Sequence, residues 1–263
     1  MYHFFVSKDQ LLDGGKKISI TGADYNHMAN VLRMKEGEEF SVSIRTDEGD
    51  AAITDSEDEF SGYNEYRYGI EQITADEIIG ELRFIKESGA ELPSKIYLFQ
   101  GLPKADKMEL IIQKAVELGA YQIIPVAMKR SVVKLDEKKA QNKIKRWQAI
   151  AESAAKQSKR GIIPNVHMPV TMKEALEIAK DLDVKLLPYE QAEGMEYTRK
   201  VISQIKPGES IGIFVGPEGG FDDKEVEAAT NAGFKSITMG KRILRTETAG
   251  FTMLSWLLYT LER

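Results

Sequence analysis

The chain has 263 residues, 42% of them apolar and 29% charged, with a formal net charge of −5. That is ordinary globular usage, enough for one large or two modest domains. It has no Cys, which excludes disulfides, thiolate metal sites, iron–sulfur clusters and cysteine nucleophiles.

The first part of the chain reads as β-rich. Tyr2–Val6, Glu39–Arg45, Tyr66–Ile73 and Ile78–Ile85 have strand composition, and one short helix is predicted across Asp24–Arg33. A small barrel fits this pattern. The acidic, Gly/Ser-bearing stretch Asp47–Glu65 reads as a long hairpin loop or insertion. The character changes near Glu91-Leu92-Pro93, which divides the chain into residues 1–91 and 92–263. Beyond it, strands alternate with helices. The predicted elements are strand Lys95–Gln100, helix Lys104–Leu118, strand Gln122–Val126 and helix Asp136–Lys159. They continue with helix Met172–Lys180, strand Val184–Leu187, helix Met195–Gln204, strand Ser210–Val215 and helix Asp222–Ala232. Strand Ser236–Met239 and helix Thr246–Leu261 complete the series. Such alternation gives an α/β fold with a mostly parallel sheet, whose ligands bind beyond the carboxyl ends of the strands.

The N-terminus MYHFFVSKDQ lacks the pattern of a secretory signal, and the apolar run Phe251–Leu261 is too short to span a bilayer. A soluble cytoplasmic protein is expected. His3, His27 and His167 are scattered, so no metal site is expected. The last helix carries two apolar stripes, one of Phe251, Leu254, Leu258 and Leu261 and one of Met253, Trp256 and Leu257. A helix apolar nearly all round must be covered nearly all round, which implies a second subunit. The charge is uneven. Asp47 to Glu91 holds 14 acidic and 3 basic residues, whereas Lys129 to Arg160 holds 11 basic and 3 acidic ones. A charge run alone is ordinarily a solvated helix face; beside an active cleft it becomes a phosphate-binding surface.

Three strand-end loops stand out: Leu187-Pro188-Tyr189-Glu190, Gly216-Pro217-Glu218-Gly219-Gly220, and Met239 to Ala249. The second lets backbone approach a ligand, and Asp222 or Asp223 can cap the helix that follows. It matches neither a dinucleotide fingerprint nor a P-loop, so a nucleotide-dependent oxidoreductase is excluded as the leading reading. In the third loop, Thr246 suits an N-cap and Glu247 suits the positive end of the helix dipole. Lys241, Arg242 and Arg245 stand just before a helix N-terminus, where cations are unfavourable; they imply an anionic partner.

GPEGGF (Gly216–Phe221) followed by MGKRILRTETA (Met239–Ala249) closely resembles the RsmE family, SPOUT-superfamily methyltransferases that modify a 16S ribosomal RNA uridine at N3. KADKMELIIQKAVELG (Lys104–Gly119), AESAAKQSKR (Ala151–Arg160) and HMANVLRM (His27–Met34) resemble further family segments, so the likeness covers nearly the whole chain. Asp47–Glu65 is the main departure. The resemblance implies a SPOUT-type trefoil-knotted sheet with helices on both faces, an N-terminal PUA-like or OB-like β-barrel that binds RNA, and a homodimer. Pattern alone gives an open sheet, because threaded chains are exceptional.

It further implies S-adenosylmethionine, held around Leu187, Pro188, Glu190, Gly216, Pro217, Glu218, Gly219, Met239, Gly240, Ile243, Leu244, Thr248 and Ala249. Arg245, Glu218 and Glu247 become candidates for catalytic contacts, since uridine N3 must lose a proton and the uracil oxygens gain charge. N3 lies on the pairing edge, so the base must be unpaired. His27, Arg33, Lys104, Lys107, Arg130, Lys156, Gln157 and Arg160 become candidates for contacts with 16S rRNA in the small ribosomal subunit. Two other readings stay open: a non-catalytic RNA-binding assembly factor, and ribose 2′-O-methylation by the same superfamily.

Overall fold

The computed structural model describes residues 1–45, 64–87, 89–192 and 194–262. Two compact units result, one of Met1–Glu91 with Ala155–Ile163 and one of Leu92–Ala154 with Pro164–Arg263.

In the first unit, β1 (His3–Val6), β2 (Leu11–Leu12), β3 (Lys17–Thr21), β4 (Glu39–Ile44), β5 (Asn64–Ile73) and β6 (Glu77–Glu87) form one sheet, ordered β1-β4-β5-β6-β3-β2. β1 and β4 are parallel; the other pairs are antiparallel. Alternate residues of these strands, among them Phe4, Val6, Ile18, Ile20, Phe40, Val42, Tyr68 and Ile78, share one buried cluster. A sheet that gives one face to a single interior must curl around it. Gly80 permits the curl, because a Cβ there would lie 2.9 Å from Phe40 Cζ. Strand β3 was not expected: KISIT offers only two apolar residues, yet Ile18 and Ile20 are fully buried by alternation.

The predicted helix Asp24–Arg33 is α1 (Gly22–Asn26) followed by a wide π turn, His27–Val31, in which the Leu32 N–H donates to the His27 carbonyl (2.8 Å). Met28 and Met34 are buried while His27 and Arg33 stay exposed. Of the acidic stretch Asp47–Glu65, residues 47–63 lie outside the described residues; Asn64 and Glu65 open β5 instead of belonging to a loop.

Arg160 departs from its expected place at an RNA-facing surface. It is 3% exposed and its Nε donates to Glu91 Oε1 (3.1 Å), while Nη2 donates to Oε2. The Gly161 N–H also donates to Glu91 Oε1 (3.0 Å). This is a bidentate pair buried within the first unit, and the guanidinium is not offered to solvent.

The second unit holds β7 (Ile96–Gly101), α2 (Lys107–Glu117), β8 (Gln122–Ala127), α3 (Glu137–Ser158), β9 (Asn165–Val166) and β10 (Val170–Thr171). It continues with α4 (Met172–Ile178), β11 (Val184–Pro188), α5 (Met195–Ser203), β12 (Ile211–Val215), α6 (Asp223–Asn231), β13 (Lys235–Ile237) and α7 (Thr246–Leu261). All sheet pairs are parallel, in the order β10-β8-β7-β12-β11-β13, with β9 also beside β8. The strand IGIFV is buried along its whole length, as a sheet covered on both faces requires. On one face Phe99 and Phe214 stack at 4.7 Å and pack with Ala175 and Ala179 of α4 and Ala229 of α6. On the other, Gly250 brings α7 close: a Cβ there would lie 4.0 Å from Leu98 and from Val215. α2 and α5 lie against α7.

The Arg160–Glu91 pair carries a direct test. Glu91→Gln removes a carboxylate paired with a buried guanidinium, which costs about 3–5 kcal/mol when a buried pair is broken. Urea denaturation of the full chain should show a loss of that size, and Arg160→Met should cost less than Glu91→Gln.

Candidate active site

The carboxyl ends of β11, β12 and β13 carry the three loops that the sequence singles out. Their arrangement starts from Gln100, an amide in an otherwise apolar strand and 0% exposed. Its Nε2 donates to the Thr246 hydroxyl (2.8 Å), and that hydroxyl donates to the Gly216 carbonyl (2.6 Å). The end of β7, the loop after β12 and the start of α7 therefore meet at one oxygen. Thr246 is not the N-cap of α7. Arg245 occupies that position in extended backbone, and no side chain caps the helix.

Between β13 and α7 the chain must travel from the sheet edge back past β11 to β12. Neighbouring strands lie about 4.8 Å apart, so two spacings are crossed. The departure is fixed at Thr238, whose N–H donates to Thr198 Oγ1 (3.1 Å) and whose carbonyl accepts from it (2.9 Å). These bonds end β13 at Ile237, two residues before the predicted Met239. Gly240 follows at φ +105°, where a Cβ would meet nothing within 4 Å. Only glycine takes that backbone without strain, and the space beside it is open.

The loop after β12 is tight. Gly101 and Pro217 approach so closely that a Cβ on Gly101 would lie 2.6 Å from the Pro217 nitrogen. The Gly220 N–H donates to the Pro217 carbonyl (2.9 Å), with Gly220 at φ +67°. Asp222 then caps α6, accepting from the Lys224 N–H (3.3 Å). Arg130 braces the loop: its Nη1 donates to the Gly219 carbonyl (3.2 Å). The Tyr189 N–H after β11 donates to the Ile237 carbonyl (2.9 Å), which ties the first loop to the end of β13. Leu187 and Pro188 are buried; Glu190 is exposed.

Charge is distributed in two groups. Glu218 accepts from the Lys104 N–H (3.1 and 3.3 Å) and pairs with Lys107 Nζ (3.1 Å); the same ammonium stands 3.3 Å from Glu247 Oε2. Burial opposes ionisation of Glu218. Its own N–H, the Lys104 N–H and the Lys107 ammonium outweigh burial and hold the carboxyl below its ordinary range. Lys107 is raised by its bond to Glu218, against desolvation, with Glu247 adding to the effect. In contrast, Lys241, Arg242 and Arg245 are exposed, and their side chains have no ion pair or hydrogen bond among the described residues. Ile243 between them is 81% exposed.

The structure thus brings together Gly216, Pro217, Glu218, Gly219, Glu247, Lys104, Lys107 and Arg130. His27, Arg33, Lys156 and Gln157 are in the first unit; Lys156 pairs with Asp24 (3.4 Å). Arg146 and Lys143 of the basic helix α3 are drawn to Glu109 (2.7 Å) and Asp106 (3.8 Å). Sequence reasoning missed Gln100, whose signal was a lone amide closing a buried strand. Among the described residues, no group of acidic or histidine side chains is placed to hold a metal.

A family model for an RNA methyltransferase domain matches residues 90–258, and one for an RNA methyltransferase PUA domain matches residues 20–61. The chain is 36% identical to ribosomal RNA small subunit methyltransferase E of Bacillus subtilis, over all of this chain and 98% of that protein. It is 41% identical to the protein of the same name from Mesomycoplasma hyopneumoniae, over 63% of this chain and 70% of that one. The crystal structure of that methyltransferase from Neisseria gonorrhoeae, bound to S-adenosyl methionine, superposes with a TM-score of 0.78 at 28% identity, covering 97% of this chain and 95% of the other.

The loop clasp gives a test independent of activity. Thr246→Val removes the hydroxyl at constant shape; the Gly216 carbonyl loses this donor, and Gln100 Nε2 keeps the Gly101 carbonyl (3.0 Å). A loss of about 1–3 kcal/mol is expected in denaturant unfolding, and Thr246→Ser should recover most of it. With its curled N-terminal sheet, its parallel catalytic sheet and its full-length match to these relatives, the chain belongs to the ribosomal RNA small subunit methyltransferase E family.

Proposed function

We propose that the protein uses S-adenosylmethionine to methylate N3 of a uridine in 16S rRNA of the small ribosomal subunit. The observation that carries this reading is the meeting at Thr246 of the end of β7, the loop after β12 and the segment that starts α7, with unpaired Lys241, Arg242 and Arg245 beside them. Such a site offers backbone groups to a neutral or zwitterionic ligand and cations to a polyanion. The residues suit the cofactor: Gly240 leaves open space where a side chain would stand, and the tight loop of Gly216, Pro217 and Gly219 offers backbone groups. Leu187, Pro188, Glu190, Met239, Ile243, Leu244, Thr248 and Ala249 complete the proposed cradle, with Glu218 at its rim. When bound, S-adenosylmethionine supplies an electrophilic methyl group on a sulfonium.

The chain's own residues have three tasks in this reading. Arg245 lies in the extended residue before α7 and stabilises the negative charge that develops on the uracil oxygens. Glu218 and Glu247 are the carboxylates placed to receive the N3 proton, directly or through water. The loops hold the reacting base and exclude water, which orients the reaction. His27, Arg33, Lys104, Arg130, Lys156 and Gln157 are the proposed RNA contacts, Arg160 being buried.

The third loop is proposed to thread the chain into a trefoil knot, and a homodimer is proposed through α7. Ala249, Gly250, Met253, Leu254 and Leu257 are buried within the chain, but Trp256 and Leu258 are half-covered and Tyr259 is 86% exposed. Leu110 of the neighbouring α2 is 43% exposed, which extends the apolar face. A cytoplasmic site of action follows from the substrate. Among the described residues, no helix is long and apolar enough to cross a membrane.

The test uses 30S subunits from cells lacking the modification, incubated with the protein and S-adenosylmethionine, then nucleoside mass spectrometry. 3-Methyluridine is expected; a 2′-O-methylated nucleoside, or none at all, contradicts the reading. Arg245→Ala should lower kcat by about 10²–10³ while cofactor affinity changes by less than about threefold. Equal losses in both would make Arg245 a loop-structuring residue.

A further inference from the structure

We infer that Lys107 is a positioning residue of the methyl-transfer site, clamping Glu218 and Glu247 together instead of contacting RNA. The inference rests on the reading of those two carboxylates as catalytic contacts. Lys107 opens α2, one residue beyond Asp106. Its Nζ lies 3.1 Å from Glu218 on the loop after β12 and 3.3 Å from Glu247 in the first turn of α7. One ammonium therefore joins three chain segments that are far apart in sequence.

Its partners depend on it to different degrees. Glu218 has a second anchor, the Lys104 N–H, which reaches both carboxylate oxygens. Glu247 has a side chain only 13% exposed, and the Lys107 ammonium is the cation beside its inner oxygen. A carboxylate that covered gains from an opposite charge at hand. The clamp accordingly fixes the distance of Glu247 from Glu218. Phosphate binding by Lys107 would have to displace both carboxylates, whereas Lys241, Arg242 and Arg245 stand free for that purpose. The lysine thus belongs with the acids, not with the basic surface.

Three readouts on the full-length protein separate these roles, with Lys107→Gln and Lys107→Arg as variants. The first is carbon-13 NMR titration of glutamate carboxyls, which needs neither RNA nor cofactor. Removing the ammonium should move the Glu218 titration to higher pH in Lys107→Gln, by part of its displacement only, because the Lys104 N–H remains. The second is the kcat against KM split on 30S subunits, where kcat should fall about 10–100-fold with KM within about twofold. The third is the salt dependence of binding to a 16S rRNA fragment, which should keep its slope. Lys107→Arg should restore most of kcat, and thermal melting of each variant keeps folding separate from function. An unmoved Glu218 titration, or a salt slope reduced by about one unit with kcat intact, would overturn the clamp. A wild-type protein that transfers no methyl group to 30S subunits would overturn the reading of the site, and the NMR result would still decide whether the clamp exists.

Discussion

The architecture of the catalytic sheet depends on where one hydroxyl goes. Thr246 accepts from a buried amide at the end of β7 and donates to a carbonyl after β12, while Arg245 holds the N-cap position of the helix that Thr246 begins. The helix start is thereby anchored to the middle of the sheet. The preceding segment, leaving β13 at the edge, has to return across two strand ends. The glycines at 101, 216 and 240 follow from this: backbones that converge on one point leave no room for side chains, and the turning chain needs a left-handed residue. A buried hydrogen-bonded relay of this kind contributes about 1 kcal/mol per bond in net terms, but leaving its members unpaired costs more, which makes the arrangement specific.

Around that anchor the charges fall into two groups with opposite behaviour. The Glu218–Lys107–Glu247 group is mutually ion-paired and half-buried. The Lys241, Arg242 and Arg245 group is exposed and unsatisfied. An ion-paired group fixes positions, while unpaired cations attract a polyanion and give salt-dependent binding. Much of the basic character of α3 belongs to the first kind, since Arg146 and Lys143 are held by Glu109 and Asp106. Local charge balance along the sequence overstates the positive surface for this reason.

Element order was legible because periodicity survives without knowledge of partners. Helix α7 was read with its observed bounds, and β7, β8, β11, β12 and β13 were read within two residues, while the two-residue strands β9 and β10 were not read. β3 was missed because five residues with two isoleucines give too little pattern, and its strand character comes from pairing with β6. The end of β13 was placed too late, because the bonds from Thr198 that stop it come from 40 residues away. Arg160 and Lys107 show the same limit from the side of function. Both read as cations suited to RNA, and each is committed to carboxylates distant in sequence: Arg160 to Glu91, and Lys107 to Glu218 and Glu247. Motif resemblance located the three loops, but only the folded chain shows which oxygen joins the second to the third.

The claim that the three strand-end loops form one cofactor cradle is most directly tested by hydrogen exchange of the full-length protein with and without S-adenosylmethionine. Slowed exchange confined to the amides of Gly216–Gly220, Tyr189–Glu190 and Gly240–Leu244 is the result this account predicts. Protection elsewhere, or in only one of these loops, would contradict it.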